Sequence, residues 1–234
     1  AFSTGYVYDG YYYYADIAIA SSGNLTVSSE YNRATAIEAQ STYGSIDILT
    51  YGTIEATAYE RAFGIDAKTV YGEISIENHA NVGAESSTEF AVGIRAQSNY
   101  GDISITNYAD VSASGYSLTQ GIVALSYYGN AFIINNGDIS ASSSDGYSQA
   151  VALRSGSGGK CTSALINSGS ISDDGSEYSV AISATGGNSF IYNEGLIAGS
   201  IITDYGQDII LNKYGGQIVL TDDAINLYGG DGLI

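Results

Sequence analysis

Short runs of alternating apolar and polar residues recur along the chain: "IDILT" from Ile46, "ISIEN" from Ile74 and "ISITN" from Ile103. A period of two marks half-buried strands, whereas helices repeat their apolar positions every three to four residues. No stretch of eleven or more residues carries a clean helical face. Each run follows a Tyr-Gly pair, and the phrases "STYG", "TVYG", "SNYG" and "SYYG" end at Gly44, Gly72, Gly101 and Gly129. These glycines stand 28, 29 and 28 residues apart. The phrase then degrades, with Cys161, Gly187 and Gly206 in the anchoring place.

Aligned on the anchor, the repeats become columns. Four residues on stand Ile48, Ile76, Ile105, Ile133, Leu165, Ile191 and Ile210. Six on stand Thr50, then Asn78, Asn107, Asn135, Asn167, Asn193 and Asn212. Eight on come small residues from Gly52 to Gly195, and ten on come Ile54, Val82, Val111, Ile139, Ile171 and Ile197. A later strand carries pairs such as Ile65 and Ala67, Ile94 and Ala96, Ile122 and Ala124. The fold expected is all-β: a right-handed parallel β-helix, three short strands per coil, about 28 residues per coil. Coils stack about 4.8 Å apart. Even offsets point inward; odd offsets point out and are mostly Ser, Thr, Asp or Glu. Residues 1–33 form a Tyr-rich segment with the first coil, and 34–234 form one solenoid domain. The Asn column is expected to be a structural amide ladder, as in cross-β stacks. Tyr43, Tyr71, Tyr100 and Tyr128 form an aromatic column at a corner.

Composition sharpens this picture. The chain of 234 residues has 30 Gly, 22 Tyr and no Pro. A proline would remove a donor from the ladder between coils. The net charge of −18 argues against nucleic acid, which requires a basic face. No apolar run is long enough to span a membrane as a helix. The single Cys161 permits no internal disulfide and reads as a small buried hydrophobe. The opening "AFSTG", without a starting Met, reads as a processed secreted form.

The runs "NNGDISAS", "NSGSISD", "NEGLIAGSI" and "GGQIVLTDDAINLYGGDGLI" resemble the degenerate N-x-G-x-I repeats of bacterial autotransporter passenger domains and related surface adhesins. The resemblance runs from about Ala34 onward. It implies a parallel β-helix at the cell surface or outside the cell, with roles in adhesion or biofilm. This chain is short for that family and shows no membrane barrel after the repeats.

The Tyr-rich start places Tyr6, Tyr8, Tyr11, Tyr12, Tyr13 and Tyr14 on a strand-like segment, and the sequence closes on Leu233 and Ile234. These are the candidate contacts between subunits. The expected function is a secreted structural subunit, non-enzymatic, that stacks head to tail with copies of itself into a filament or matrix fibre. The alternative is a monomeric adhesin binding glycans or a host surface. Glu73 with Asp102, Asp110 with Asp138, and Asp173 with Asp174 bring like charges together, which calcium would bridge. Solvated surface acids are the plainer reading, and no cofactor is expected. Asp66 and Arg95 share a column on adjacent coils and are expected to form an exposed pair contributing ~0.2–1 kcal/mol. His79 is expected in a turn beside the Asn column, with no Cys or second His near it in sequence. No phosphate loop, nucleophile elbow or zinc spacing occurs.

Overall fold

The computed structural model describes residues 2–3, 6–8, 11–13, 15–156, 161–175, 178–204, 206–220 and 225–227, with side chains described only between Ala15 and Ile225. They form a right-handed parallel β-helix of about 28 residues per coil. In the coil opened by Gly101 the three strands are Ile103–Asn107, Val111–Gly115 and Leu118–Ser126. Third strands of successive coils build a nine-stranded sheet. First and second strands join in one bent fourteen-stranded sheet, because Ile46–Ala58 and Ile74–Ser86 run unbroken through the corner between them. Gly52, at φ 96°, and fully buried Ala80 are small enough for that corner.

Register follows the sequence columns. Ile105 pairs with Ile76 on one side and Ile133 on the other. Ile46, Ile54, Ile74, Ile105 and Ile133 are at most 1% exposed. Each buried aliphatic chain contributes about 1.5–3 kcal/mol, realised only against neighbouring coils. Toward the C-terminal coils one column of this core turns polar: Ile103 and Ala131 give way to Ser163, Ser189 and Asp208 in register. Asp208 Oδ1 accepts the Ser189 N–H at 3.0 Å, while its Oδ2 is buried without a partner.

The anchoring glycines are required by close backbone approach, not by φ. A Cβ on Gly101 would lie 1.9 Å from the Gly72 carbonyl oxygen of the coil beneath. A hydroxyl three residues earlier completes the corners at Gly72, Gly101 and Gly129. Ser98 Oγ donates to that same carbonyl at 3.1 Å and accepts the Gly101 N–H at 2.8 Å. Thr69 and Ser126 repeat the arrangement at Gly72 and Gly129. Gly101→Ala is therefore expected to push two coils apart and to cost about 1–3 kcal/mol, read from the midpoint of urea unfolding. An unchanged midpoint would contradict the close-approach reading.

The third strand has an elbow that alternation alone does not forecast. Ala62 and Ile65 both face the interior, in separate apolar clusters, so the strand turns at Phe63–Gly64. A Cβ on Gly93, the next coil's equivalent, would lie 2.4 Å from Val111 Cγ1. The elbow folds the outer face of this sheet into a furrow. Phe63, Val92, Val123 and Ala152 line it as an apolar cluster outside the main core.

At the N-terminus, Phe2–Ser3 pairs in parallel with Gln40–Ser41 of the first coil. Tyr6–Tyr8 pairs antiparallel with Tyr11–Tyr13, with Tyr6 opposite Tyr13. This backbone thus pairs within its own chain. Tyr14, Leu233 and Ile234 lie outside the described residues.

Candidate functional site

The amide ladder is real and continuous. Thr50 Oγ1 donates to Asn78 Oδ1 at 2.6 Å, and each later Nδ2 donates to the next Oδ1: Asn78 to Asn107, 2.7 Å; Asn107 to Asn135, 2.9 Å; Asn135 to Asn167, 2.9 Å; Asn167 to Asn193, 2.8 Å; Asn193 to Asn212, 2.7 Å. The second amide proton closes the local corner, as from Asn135 to the Gly137 carbonyl at 2.7 Å. Asn78 to Asn193 are 0% exposed, so the column is structure and offers nothing to a ligand.

The functional candidates are therefore on the outside. Tyr43, Tyr71, Tyr100 and Tyr128 stack with centroids 5.0, 5.0 and 4.9 Å apart and planes within 12°. Stacked this way, the rings cover one another's faces and present edges and hydroxyls to water. Across the first face a second row stacks Tyr51, His79 and Tyr108 at 4.7 and 4.4 Å. His79 is not in a turn: it lies within the strand Ile74–Ser86, between two tyrosines, with Nε2 2.8 Å from Glu77 Oε1.

Between the Tyr rows lies a groove of about 590 Å³ lined by Asp16, Asp47, Glu73, Asp102 and Asn130 among others. Several of these side chains cap the next coil. Asp16 Oδ1 accepts the Ser45 N–H at 2.8 Å, Asp102 Oδ1 that of Asn130 at 2.7 Å, and Asn130 Oδ1 that of Thr162 at 2.9 Å. Three of the other calcium candidates also accept backbone N–H groups, from the next coil, the same loop and the preceding coil in turn. Asp110 Oδ1 accepts the Asp138 N–H at 3.3 Å, Asp173 Oδ1 that of Gly175 at 2.9 Å, and Asp174 Oδ2 that of Ser143 at 2.7 Å. Burial pushes the Asp173 carboxyl above its usual range, against the pull of the Gly175 N–H. Among the described residues no group of three or more His, Cys, Asp or Glu side chains is placed to hold a metal ion.

Along the edge where the second strand turns into the third, Glu85, Ser86, Ser114, Tyr116, Ser143 and Asp174 help to line a groove of about 520 Å³. Its hydroxyls are partly engaged: Tyr116 Oη donates to Asp145 Oδ2 at 2.7 Å, and Ser143 Oγ to the Tyr116 carbonyl at 2.8 Å.

The furrow of the third sheet corrects one expectation. Asp66 is not exposed; its side chain is 0% accessible. Arg95 holds it through two contacts of 2.8 Å, Arg33 Nη2 lies 2.6 Å away and Lys68 Nζ 3.1 Å away. Both guanidinium groups also cover Phe63, at 4.7 Å for Arg33 and 4.2 Å for Arg95. Burial by itself would raise the Asp66 pKa, but Arg95 and Lys68 outweigh it and hold the carboxyl below its usual value. Arg61 pairs with Glu89 at 2.7 Å, Lys213 pairs with Glu194, and Arg154 lies over Tyr127. Every described basic side chain is thus engaged with an acid or a ring. Cys161 is half-buried, and its Sγ lies 3.2 Å from the Tyr128 carbonyl oxygen.

No family model, no curated protein and no solved structure matches the chain. The functional reading therefore comes from its surfaces.

One surface departs from the expected polar exterior. On the first strands of the first four coils the outward positions are Ala18, Asp47, Ser75 and Ser104 in one column and Ala20, Leu49, Glu77 and Thr106 in the other. From the fifth coil they become Phe132, Ala164, Phe190 and Ile209 in one column, and Ile134, Ile166, Tyr192 and Leu211 in the other. The capping row beside them loses its charge as well, running Asn130, Thr162, Asn188 and Gln207. The first face is acidic in one half and apolar in the other.

Proposed function

We propose that the chain is a non-catalytic structural subunit that stacks end to end into an extracellular filament or matrix fibre. The observation that supports it best is that the first and last described coils present the same columns. Ile19 heads the column that ends at Ile210, and Ser21 stands below Thr50 in the column that ends at Asn212. Leu25 heads the column that ends at Ile218. A second copy set on with the same rise lays Ser21 over Asn212, Ile19 over Ile210 and Leu25 over Ile218. This extends both the aliphatic stacks and the hydrogen-bonded column. Such a contact is heterologous and does not close, so it grows linearly. The last coil exposes Val219 at 48% and Leu220 at 42%, apolar area that such a joint would cover.

Sedimentation velocity over a wide concentration range tests the joint. Growth into a ladder of linear species is expected, and a single monomeric species at the highest concentration would sink it. The extracellular setting rests on the resemblance to surface-displayed repeats. Protease treatment of intact cells should remove the protein, and full protection would count against that setting.

A second reading, a monomeric glycan-binding adhesin, is favoured by the groove beside the Tyr43–Tyr128 row with its Asp, Ser and Asn lining. Sugars stack on free ring faces, and stacking within the row covers both faces of Tyr71 and Tyr100. A glycan array distinguishes the two: saturable binding by monomer, lost in Tyr128→Ala, would favour the adhesin.

A further inference from the structure

We propose that the apolar half of the first face is a two-fold, face-to-face contact between two copies of this chain. The proposal stands whether or not the ends also join. Phe132, Ala164 and Phe190 follow one another in register, beside Ile134, Ile166 and Tyr192. All six point away from the core and are half-buried. A continuous apolar patch on the outside of a soluble sheet marks an interaction surface.

Two features favour a second copy as the occupant. The first is charge. The chain carries −18, so two copies repel over most approaches. The apolar half is neutral, since Glu194 and Lys213 at its margin pair with each other. A cationic partner would be drawn to the acidic half instead, and an anionic lipid surface would repel the chain. The second is shape. Ala164 between Phe132 and Phe190 leaves a notch two coil steps long, about 9–10 Å. A two-fold axis lying between the two faces, along the strand direction and midway between the Ala164 and Phe190 coils, seats Phe190 of each copy over Ala164 of the other, so large meets small on both sides. Packed sheets sit about 10 Å apart, which accommodates this interdigitation. The patch is smaller than the roughly 20–30 residues a side of a stable complex, so the dimer is weak, micromolar or weaker. Copies arrayed on a fibre or a surface would multiply it by avidity.

Sedimentation equilibrium on the full chain tests this with Ile166→Lys and Ala164→Phe, with far-UV circular dichroism to verify folding. Both positions point outward, so the core is untouched. Wild type should dimerise reversibly, more strongly as salt screens the net charge. Ile166→Lys should weaken the dimer at least tenfold by burying an unpaired charge, and Ala164→Phe should do so by filling the notch. Linear growth through the ends involves neither residue and should persist in both variants. Three results would overturn the proposal. Wild type that shows no lateral dimer at millimolar concentration is one; folded variants that dimerise as wild type does is another. Binding of neutral glycans or zwitterionic vesicles by this face, abolished in Ile166→Lys while the chain stays monomeric, would overturn the choice of occupant.

Discussion

Asn135→Ala should remove several kcal/mol of stability although it deletes only a small amide. Two buried groups lose their partner at once, the Asn107 Nδ2 proton and the Asn167 Oδ1 acceptor, while the half-buried Gly137 carbonyl keeps the Ser170 N–H. Each orphaned buried group costs about 1–3 kcal/mol. Against a typical total of about 5–15 kcal/mol the loss is large. Asn135→Thr should be milder, because Thr50 already shows that a hydroxyl in this column can donate to the next amide. The outward Thr106→Ala, one coil earlier, should shift stability by less than about 0.5 kcal/mol. The check is the midpoint of urea unfolding for the three variants. An Asn135→Ala midpoint within error of Thr106→Ala would show that the ladder carries no stability.

Asp66→Asn should be the other severe substitution. It keeps the shape and removes the buried negative charge on which Arg33, Lys68 and Arg95 converge. Breaking a buried ion pair costs about 3–5 kcal/mol, and the lower end is expected here because the three cations keep contact with water. The pH dependence has a defined sign. The folded-state pKa of Asp66 is depressed, so its stabilisation is fully present above the ordinary carboxylate pKa. It is lost as pH falls through the depressed folded value. The difference in Tm between wild type and Asp66→Asn should therefore be greatest near neutrality and shrink in acid below about pH 4. A difference that is constant with pH would mean that packing alone, not charge, is at stake.

The columns were legible because a β-helix writes its interior at fixed offsets. Ile105, Asn107 and Tyr100 recur at the same distance from each anchoring glycine, and their stacking follows from the period alone. The elbow was not legible in this way. It depends on Gly64, Gly93 and Gly121 meeting the side chains of Val82, Val111 and Ile139, each of which belongs to the second strand of the next coil. Without the elbow, Asp66 reads as an outward and therefore exposed residue. The corner hydroxyls were in view as the repeated Ser/Thr-x-Tyr-Gly phrase, but their acceptor is a carbonyl one coil away. The apolar half-face also left a trace: "AFIIN", "SALIN", "SFIYN" and "DIILN" abandon the alternation kept by "ISITN". An unbroken apolar run on a strand means both faces are covered. Nothing in the sequence says what covers the outer one. Whether Tyr100 offers its face or its edge depends on the neighbours stacked against it, so the choice between adhesin and fibre was not readable from residue type.

End-to-end growth is the central claim about function, and electron cryomicroscopy of the concentrated chain tests it most directly. The expected image is a filament whose strands lie across its axis, with the spacing of about 4.8 Å continuing unbroken from one subunit to the next. Monodisperse single particles, or assemblies in which subunits touch only through their sides, would contradict it.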